Sequence, residues 1–270
     1  MNPALTTLVL ARQTVVRLLK SRMLWFLLLG VLGATAVFYF ASRRLAHSMR
    51  GDTAFGTIAV AVYMQFVLPF GALYFGVNGL QGDIEDRTSV YLFSRPLSRT
   101  AMLLGKWLAA ALVATVLVVF GLVLLHAALA ARGTWRLNIG PPVSMLASFA
   151  HGTALAALAY AGLGVWFGAW LRRPLIFGIV FLSGWEGVIA NAAQQASARA
   201  LTVSDSLRRL LWHAHAPRDQ YAEILLGPLR IEPDPEALDP SLAMLRFAAI
   251  TVALGAWIYG RREYDARTAE

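Results

Sequence analysis

The sequence predicts an all-α polytopic membrane protein with six transmembrane helices and an N-terminal interfacial helix. Two observations predict this fold class. Hydrophobic residues make up 58% of the chain and charged residues only 14%, whereas an ordinary soluble domain has about 25% charged residues. The apolar residues also fall in six long blocks separated by short basic stretches, and each block reaches the roughly 20 residues that a spanning helix needs.

Residues 1–22 precede the first block and are expected to form an amphipathic helix at the membrane interface. Their apolar side chains recur with helical spacing on one face, at Leu5, Leu8, Val9, Val16 and Leu19. The opposite face is polar, with Thr6, Gln13, Arg17 and Lys20. Arg12 interrupts the apolar face, and we expect its long side chain to snorkel towards the headgroups.

The six apolar blocks are expected to cross the bilayer, five within residues 23–196 and the sixth within residues 242–270, which end in a cytoplasmic tail. In chain order the blocks are Met23–Ala41, Gly56–Leu80, Ala101–Ala130, Ser144–Leu171, Pro174–Ala196 and Leu242–Gly260. Lys and Arg are slightly more numerous near the ends of the spans that lie on the same side of the membrane as the N-terminus than near the ends on the opposite side. The positive-inside rule therefore predicts that both termini are cytoplasmic.

The longest hydrophilic segment, residues 197–241, is expected to form an outer loop. Ser204 or Asp205 can cap a short amphipathic helix that runs through Leu211 and lies on the outer membrane surface. Several prolines follow Gly227 and disfavour regular structure there.

Composition and motifs exclude several classes of function. The net charge is +9, but the basic residues flank apolar blocks instead of forming one patch, so no nucleic-acid partner is expected. The histidines show no converging ligand pattern, and the chain has no Cys, so no metal site is predicted. Gly105 and Lys106 lack the remaining residues of a phosphate-binding loop. We therefore expect no catalytic residue and no bound cofactor in this chain.

The loop between the second and third spans, residues 81–100, is the most informative stretch. Asp83, Glu85 and Asp86 are followed by a short apolar run and by Pro96, which ends any helix. These residues predict a short helix at the membrane surface with acids at its favoured N-terminal end. A solvated connecting loop is the alternative interpretation.

This loop is similar to that of the membrane permeases of type-2 ABC exporters, where a pattern like LLSRPVSRxxxxLGK follows an acidic residue. Here Tyr91–Arg99 reads YLFSRPLSR and Leu104–Lys106 reads LGK, with Phe93 where Leu is commoner. A second similarity is the Trp185–Gly187 segment, WEG, which resembles the WE pair in some of these permeases. The layout of an interfacial helix and six spans agrees over nearly the whole chain.

The resemblance implies a permease subunit whose coupling helix docks into a cytoplasmic ABC ATPase, which binds the ATP and Mg²⁺. It assigns the docking contacts to Glu85, Asp86, Arg87, Thr88, Tyr91, Leu92, Ser94 and Arg95. It also implies a dimer with a second permease copy or a paralogue, embedded in membrane lipid of the bacterial or archaeal inner membrane. The apolar spans suit lipophilic, peptide or drug-like cargo.

Four polar residues inside the predicted spans are further candidates: Glu186, Gln65, Asn78 and His151. Glu186 lies near the middle of the fifth span, where a charge costs about 3 kcal/mol on insertion scales. It is either a pathway or coupling residue, or a paired acid that holds helices together, with an arginine at a neighbouring helix end as the expected partner. Gln65 and Asn78 are expected to make interhelical hydrogen bonds.

Two other classes of function stay open from the sequence. A membrane-embedded, Mg²⁺-dependent transferase or hydrolase would use Asp83, Glu85 and Asp86 as its acidic cluster. Intramembrane phosphotransferases need two aspartate-rich motifs, however, and the chain has no second one. A scaffold or assembly protein without transport is the third class.

Overall fold

The chain folds as a bundle of helices, and the computed structural model describes residues 3–45, 51–85, 99–131, 140–189, 201–215 and 239–261. The α-helices in these ranges are α1 Pro3–Leu19, α2 Arg22–Leu45, α3 Gly51–Ile58, α4 Leu68–Glu85, α5 Arg99–Ala130, α6 Val143–Trp170, α7 Pro174–Phe181, α8 Val203–His215 and α9 Pro240–Arg261. A π-helical segment, Ala59–Val67, joins α3 to α4, and another, Leu182–Ile189, extends α7. The same residues contain no strand.

Five helical stretches are long and apolar enough to span a membrane: Arg22–Ala41, Gly51–Gly82, Arg99–Ala130, Val143–Trp170 and Pro240–Arg261. The block predicted as the fifth span forms a shorter apolar helix, Pro174–Val188, and residues 190–200 lie outside the described ranges. Each predicted apolar block therefore coincides with a helix, and the all-α polytopic fold class is confirmed.

Helix α6 lies at the centre of the bundle and packs against α4, α5, α8 and α9. Its crossing with α4 is close because both helices place glycine there. A Cβ atom added to Gly76 would lie 2.5 Å from the carbonyl oxygen of Ala161, and one added to Gly164 would collide with the carbonyl oxygen of Leu73. Small residues at the interface of membrane helices permit this backbone approach.

Helix α2 is the least covered of the spanning helices. Large apolar side chains along it are exposed, among them Trp25, Phe26, Leu29, Val37 and Phe40. A buried hydrogen bond links it to the rest of the bundle, since the Thr35 and Tyr63 hydroxyl oxygens are 2.7 Å apart. The outward face of α2 is thus accessible to lipid or to another protein.

Helix α8 is the short amphipathic helix expected in residues 197–241, and its apolar side chains face neighbouring helices. Val203, Leu207 and Leu211 are buried, and the helix packs against α6 and α9. Its first residues lie beside Tyr160, past the midpoint of α6. The apolar stripe of α8 is covered by two neighbouring helices, which draws the helix into the bundle.

Candidate functional site

Glu186 is a buried carboxylate in the π-helical segment that extends α7, with 3% of its surface exposed. Its Oε1 accepts a hydrogen bond from the backbone N–H of Val203 at 2.9 Å. Its Oε2 accepts three, from the Ser204 N–H at 2.9 Å, the Ser204 hydroxyl at 2.7 Å and the Tyr160 hydroxyl at 3.0 Å. Both carboxylate oxygens of this acid are therefore supplied with hydrogen-bond donors.

The carboxylate of Glu186 caps the start of α8. The first N–H groups of a helix have no intrahelical acceptor, and together they carry a partial positive charge that favours an anion. The Thr202 hydroxyl also accepts the N–H of Asp205 at 3.2 Å. Thr202 and Glu186 thus cap the helix for which Ser204 or Asp205 was the predicted cap. The hydrogen bonds to Glu186 described above come from hydroxyl and backbone groups.

Tyr160 connects this cap to the central helix. Its side chain is buried, and its hydroxyl oxygen lies 3.1 Å from that of Ser204 as well as in contact with Glu186. Three elements, α6, the π-helical extension of α7 and α8, therefore meet at one carboxylate. No sequence pattern pointed to Tyr160 beyond the general rule that a buried acid needs several donors.

Gln65 lies close to the same helix. It belongs to the π-helical segment Ala59–Val67, a deviation from α-helical geometry that often occurs at functional sites. With Met64 it lines a cleft against Ser204 and Arg208 of α8. The cleft measures about 20 Å³, which is room for about one water molecule, so in this conformation it admits no cargo.

Asn78 and His151 lie apart from this cluster. The side-chain amide of Asn78 donates to the Tyr74 hydroxyl at 3.4 Å, one turn earlier on α4, so the hydrogen bond observed for it is not interhelical. His151 is exposed on α6. In the part of the chain that the structure describes, no group of three or more His, Cys, Asp or Glu residues could hold a metal ion.

The predicted coupling residues lie largely outside the described ranges. Glu85 is the last residue of α4, and Arg99 is the first of α5. The remaining members of the set fall between them, at Asp86, Arg87, Thr88, Tyr91, Leu92, Ser94 and Arg95. What the structure places is the pair of helices from which this loop extends.

Helix α1 packs against both of those helices. On α5, a Cβ added to Gly105 would lie 2.8 Å from the carbonyl oxygen of Thr7 and 3.2 Å from the Cβ of Leu10. On α4, an added Cβ at Gly79 would lie 3.7 Å from the Thr14 methyl group. Gly105 belongs to the LGK segment, and its lack of a side chain lets α1 approach α5 closely.

The start of α5 is also tied to the end of α9. The Arg99 guanidinium donates a hydrogen bond of 3.0 Å to the carbonyl oxygen of Gly260, which is one of the terminal carbonyls that a helix leaves without an intrahelical partner. Beside it the Arg261 guanidinium lies 4.4 Å from the ring centre of Trp257, a cation–π distance. Helices α1, α4, α5 and α9 therefore hold the two ends of the predicted coupling loop.

Comparison with known proteins identifies a family for this chain. A family model described as "ABC-2 family transporter protein" matches residues 8–264, which is nearly the whole chain. None of the curated proteins matches it.

Proposed function

We propose that this chain exports its cargo by using ATP hydrolysis on a separate subunit. The chain belongs to the ABC-2 family of transporter proteins and is the membrane permease of an ABC transporter. It is an integral membrane protein, and the family implies association with an ABC ATPase subunit. In this proposal the ATPase binds ATP and Mg²⁺ and contacts the loop of residues 81–100.

The observation that supports this role for the loop is the packing of α1 against both helices that flank it. A docking element transmits force only if its ends are fixed to elements that move together. Contacts at Gly79 and Gly105 join α4 and α5 to α1, and the hydrogen bond from Arg99 joins α5 to α9. A displacement of the loop would therefore move four helices as one packed group.

The same packing suggests how the movement reaches the membrane interior. Helix α4 contacts α6 through backbone at Gly76 and Gly164, with no flexible side chain between them to absorb a shift. Helix α6 in turn holds Glu186 and α8 through the hydroxyl of Tyr160. We propose that closure of the ATPase moves α4 and α6 together and that this movement opens the cleft beside Gln65.

Charge reversal in the loop tests the proposal. In the purified complex with its ATPase, Glu85→Lys and Asp86→Lys are expected to weaken co-purification of the ATPase or uncouple hydrolysis from transport, because they place cations where acidic contacts are proposed. Both variants should remain in the membrane, since the apolar spans are unchanged. Arg173→Glu is the matched control, as Arg173 is exposed in the turn between α6 and α7.

Two results would contradict the proposal. Unchanged assembly and coupling in both loop variants would remove residues 81–100 as the docking element. Mg²⁺-dependent turnover by the purified chain alone would instead support the transferase or hydrolase that uses Asp83, Glu85 and Asp86. The export direction predicts that cells lacking the chain accumulate the cargo, for which we propose lipophilic, peptide or drug-like compounds.

Orientation and assembly complete the proposal. We infer that both termini lie in the cytoplasm of a bacterial or archaeal cell and that two permease chains, identical or paralogous, enclose the pathway. The exposed apolar face of α2 is compatible with a second chain as well as with lipid. The mass of the detergent-solubilised complex with the ATPase would distinguish one permease chain from two.

A further inference from the structure

An apolar groove of about 190 Å³ lies between α8 and α9. Most of its walls are apolar, and they are formed by Leu201, Val203, Ala243, Met244, Phe247 and Ile250. Pockets that enclose a drug-sized ligand usually measure about 300–1,000 Å³. This groove is therefore suited to part of a long apolar chain and not to an enclosed cargo molecule.

Arg246 supplies a cation at this groove. It lies nearly two turns inside α9, and the neighbouring Leu242, Leu245 and Ile250 are exposed, so this surface of the helix faces the lipid. In the described residues Arg246 has neither a hydrogen bond nor an ion pair. A charge at this depth of a spanning helix normally has a partner or reaches the headgroups.

Within the described residues, the acids of α8 and of the start of α9 have other partners. On α8, Asp205 forms an ion pair with Arg209, with 3.0 Å between Oδ2 and Nε. At the start of α9, Asp239 caps the helix by accepting the N–H groups of Ser241 and Leu242. The groove thus combines apolar walls with a positive charge that forms no ion pair among the described residues, and this combination favours an amphipathic anion.

We propose that this groove binds an anionic phospholipid of the surrounding leaflet. Its phosphate contacts the Arg246 guanidinium, and part of one acyl chain lies between α8 and α9. A guanidinium offers two parallel donors that match phosphate oxygens, and an arginine stem long enough to snorkel brings them to headgroup depth. The bound lipid supports α8 on the side away from the π-helical segment Ala59–Val67, independently of what the transporter exports.

Native mass spectrometry of the purified chain tests this site. The probes are dioleoylphosphatidylglycerol, which carries the anionic phosphate, and dioleoylglycerol, which has the same acyl chains without it. The wild type is expected to bind the phospholipid more tightly. Arg246→Gln should weaken that binding about tenfold, the effect of losing one charge-assisted hydrogen bond, whereas Arg246→Lys should retain part of it.

Two further variants separate the acyl and phosphate contacts. Ala243→Phe fills the groove without changing charge and should also reduce phospholipid binding. Arg173→Gln removes an exposed arginine that is not part of the groove, and it should leave phospholipid binding unchanged. Size-exclusion chromatography checks that each variant is folded. Equal binding of both probes by the wild type, or unchanged phospholipid binding by Arg246→Gln, would overturn the proposal. So would an equal loss of thermal stability by Arg246→Gln with and without lipid, which would indicate a partner within the chain.

Discussion

At the scale of single residues, the hydrogen bonds of Glu186 favour one of its two interpretations. A buried carboxylate is stable only if its oxygens are well supplied with donors. Here backbone and hydroxyl donors of Val203, Ser204 and Tyr160 converge on it. This arrangement favours an acid that holds helices together over one that lines an open pathway.

Substitution of Glu186 tests that interpretation. Glu186→Ala leaves the first N–H groups of α8 without an acceptor and should reduce stability by about 3–5 kcal/mol, because each unsatisfied buried donor costs about 1–3 kcal/mol. Glu186→Gln keeps one acceptor oxygen, but its NH₂ group faces a backbone N–H that it cannot accept. The loss of that hydrogen bond should cost about 1–3 kcal/mol. Tyr160→Phe removes a single donor and should cost about 1 kcal/mol. Thermal unfolding in detergent, followed by tryptophan fluorescence, should give that order, and a Glu186→Ala variant as stable as the wild type would exclude the capping role.

At the scale of elements, helices meet where glycine removes the side chain between them. The approach of α1 to α5 depends on Gly105 and that of α4 to α6 on Gly76 and Gly164. These contacts involve backbone atoms, so they fix the relative position of two helices more rigidly than long side chains would. Because α1 contacts both α4 and α5, the two ends of the proposed coupling loop are also held in a fixed relative position.

A pair of glycine substitutions tests the α1–α5 contact. In Gly105→Ala the new methyl group would lie 2.8 Å from the Thr7 carbonyl oxygen, so α1 must shift, at a cost of about 1–3 kcal/mol. Gly33→Ala is the control, because nothing lies within 4 Å of its added Cβ and alanine favours a helix. Gly105→Ala should co-purify with less ATPase and should unfold at a lower temperature, whereas Gly33→Ala should show neither change. Equal behaviour of the two variants would show that this contact is unimportant.

At the scale of the whole molecule, the order of the elements indicates the class of membrane protein more specifically than the hydrophobicity does. Helix α1 packs beside the ends of α4 and α5 that flank the proposed coupling loop. Helix α8 begins beside Glu186 and packs along α6 and α9. The loop and the Glu186 cluster therefore lie in different parts of the molecule, joined through α4 and α6.

Labelling of introduced cysteines tests the orientation of the molecule. The chain has no cysteine of its own, so each variant carries a single label site. Arg173→Cys and Gly140→Cys lie at exposed positions at opposite ends of α6. If the termini are cytoplasmic, a membrane-impermeant maleimide added to intact cells should label position 140, and position 173 only after permeabilisation. The reverse pattern would place the termini outside.

The sequence by itself determined the class of fold and the limits of most helices, because the transfer of an apolar block into lipid depends on local composition and length. It singled out Glu186 by residue type and predicted a coupling loop by motif, but it did not predict Tyr160 as a partner of Glu186 or the packing of α8 against α6 and α9. These features depend on which helix faces meet, between residues far apart along the chain. Tertiary structure decided them, because a buried acid takes whatever donors the packed helices bring to it.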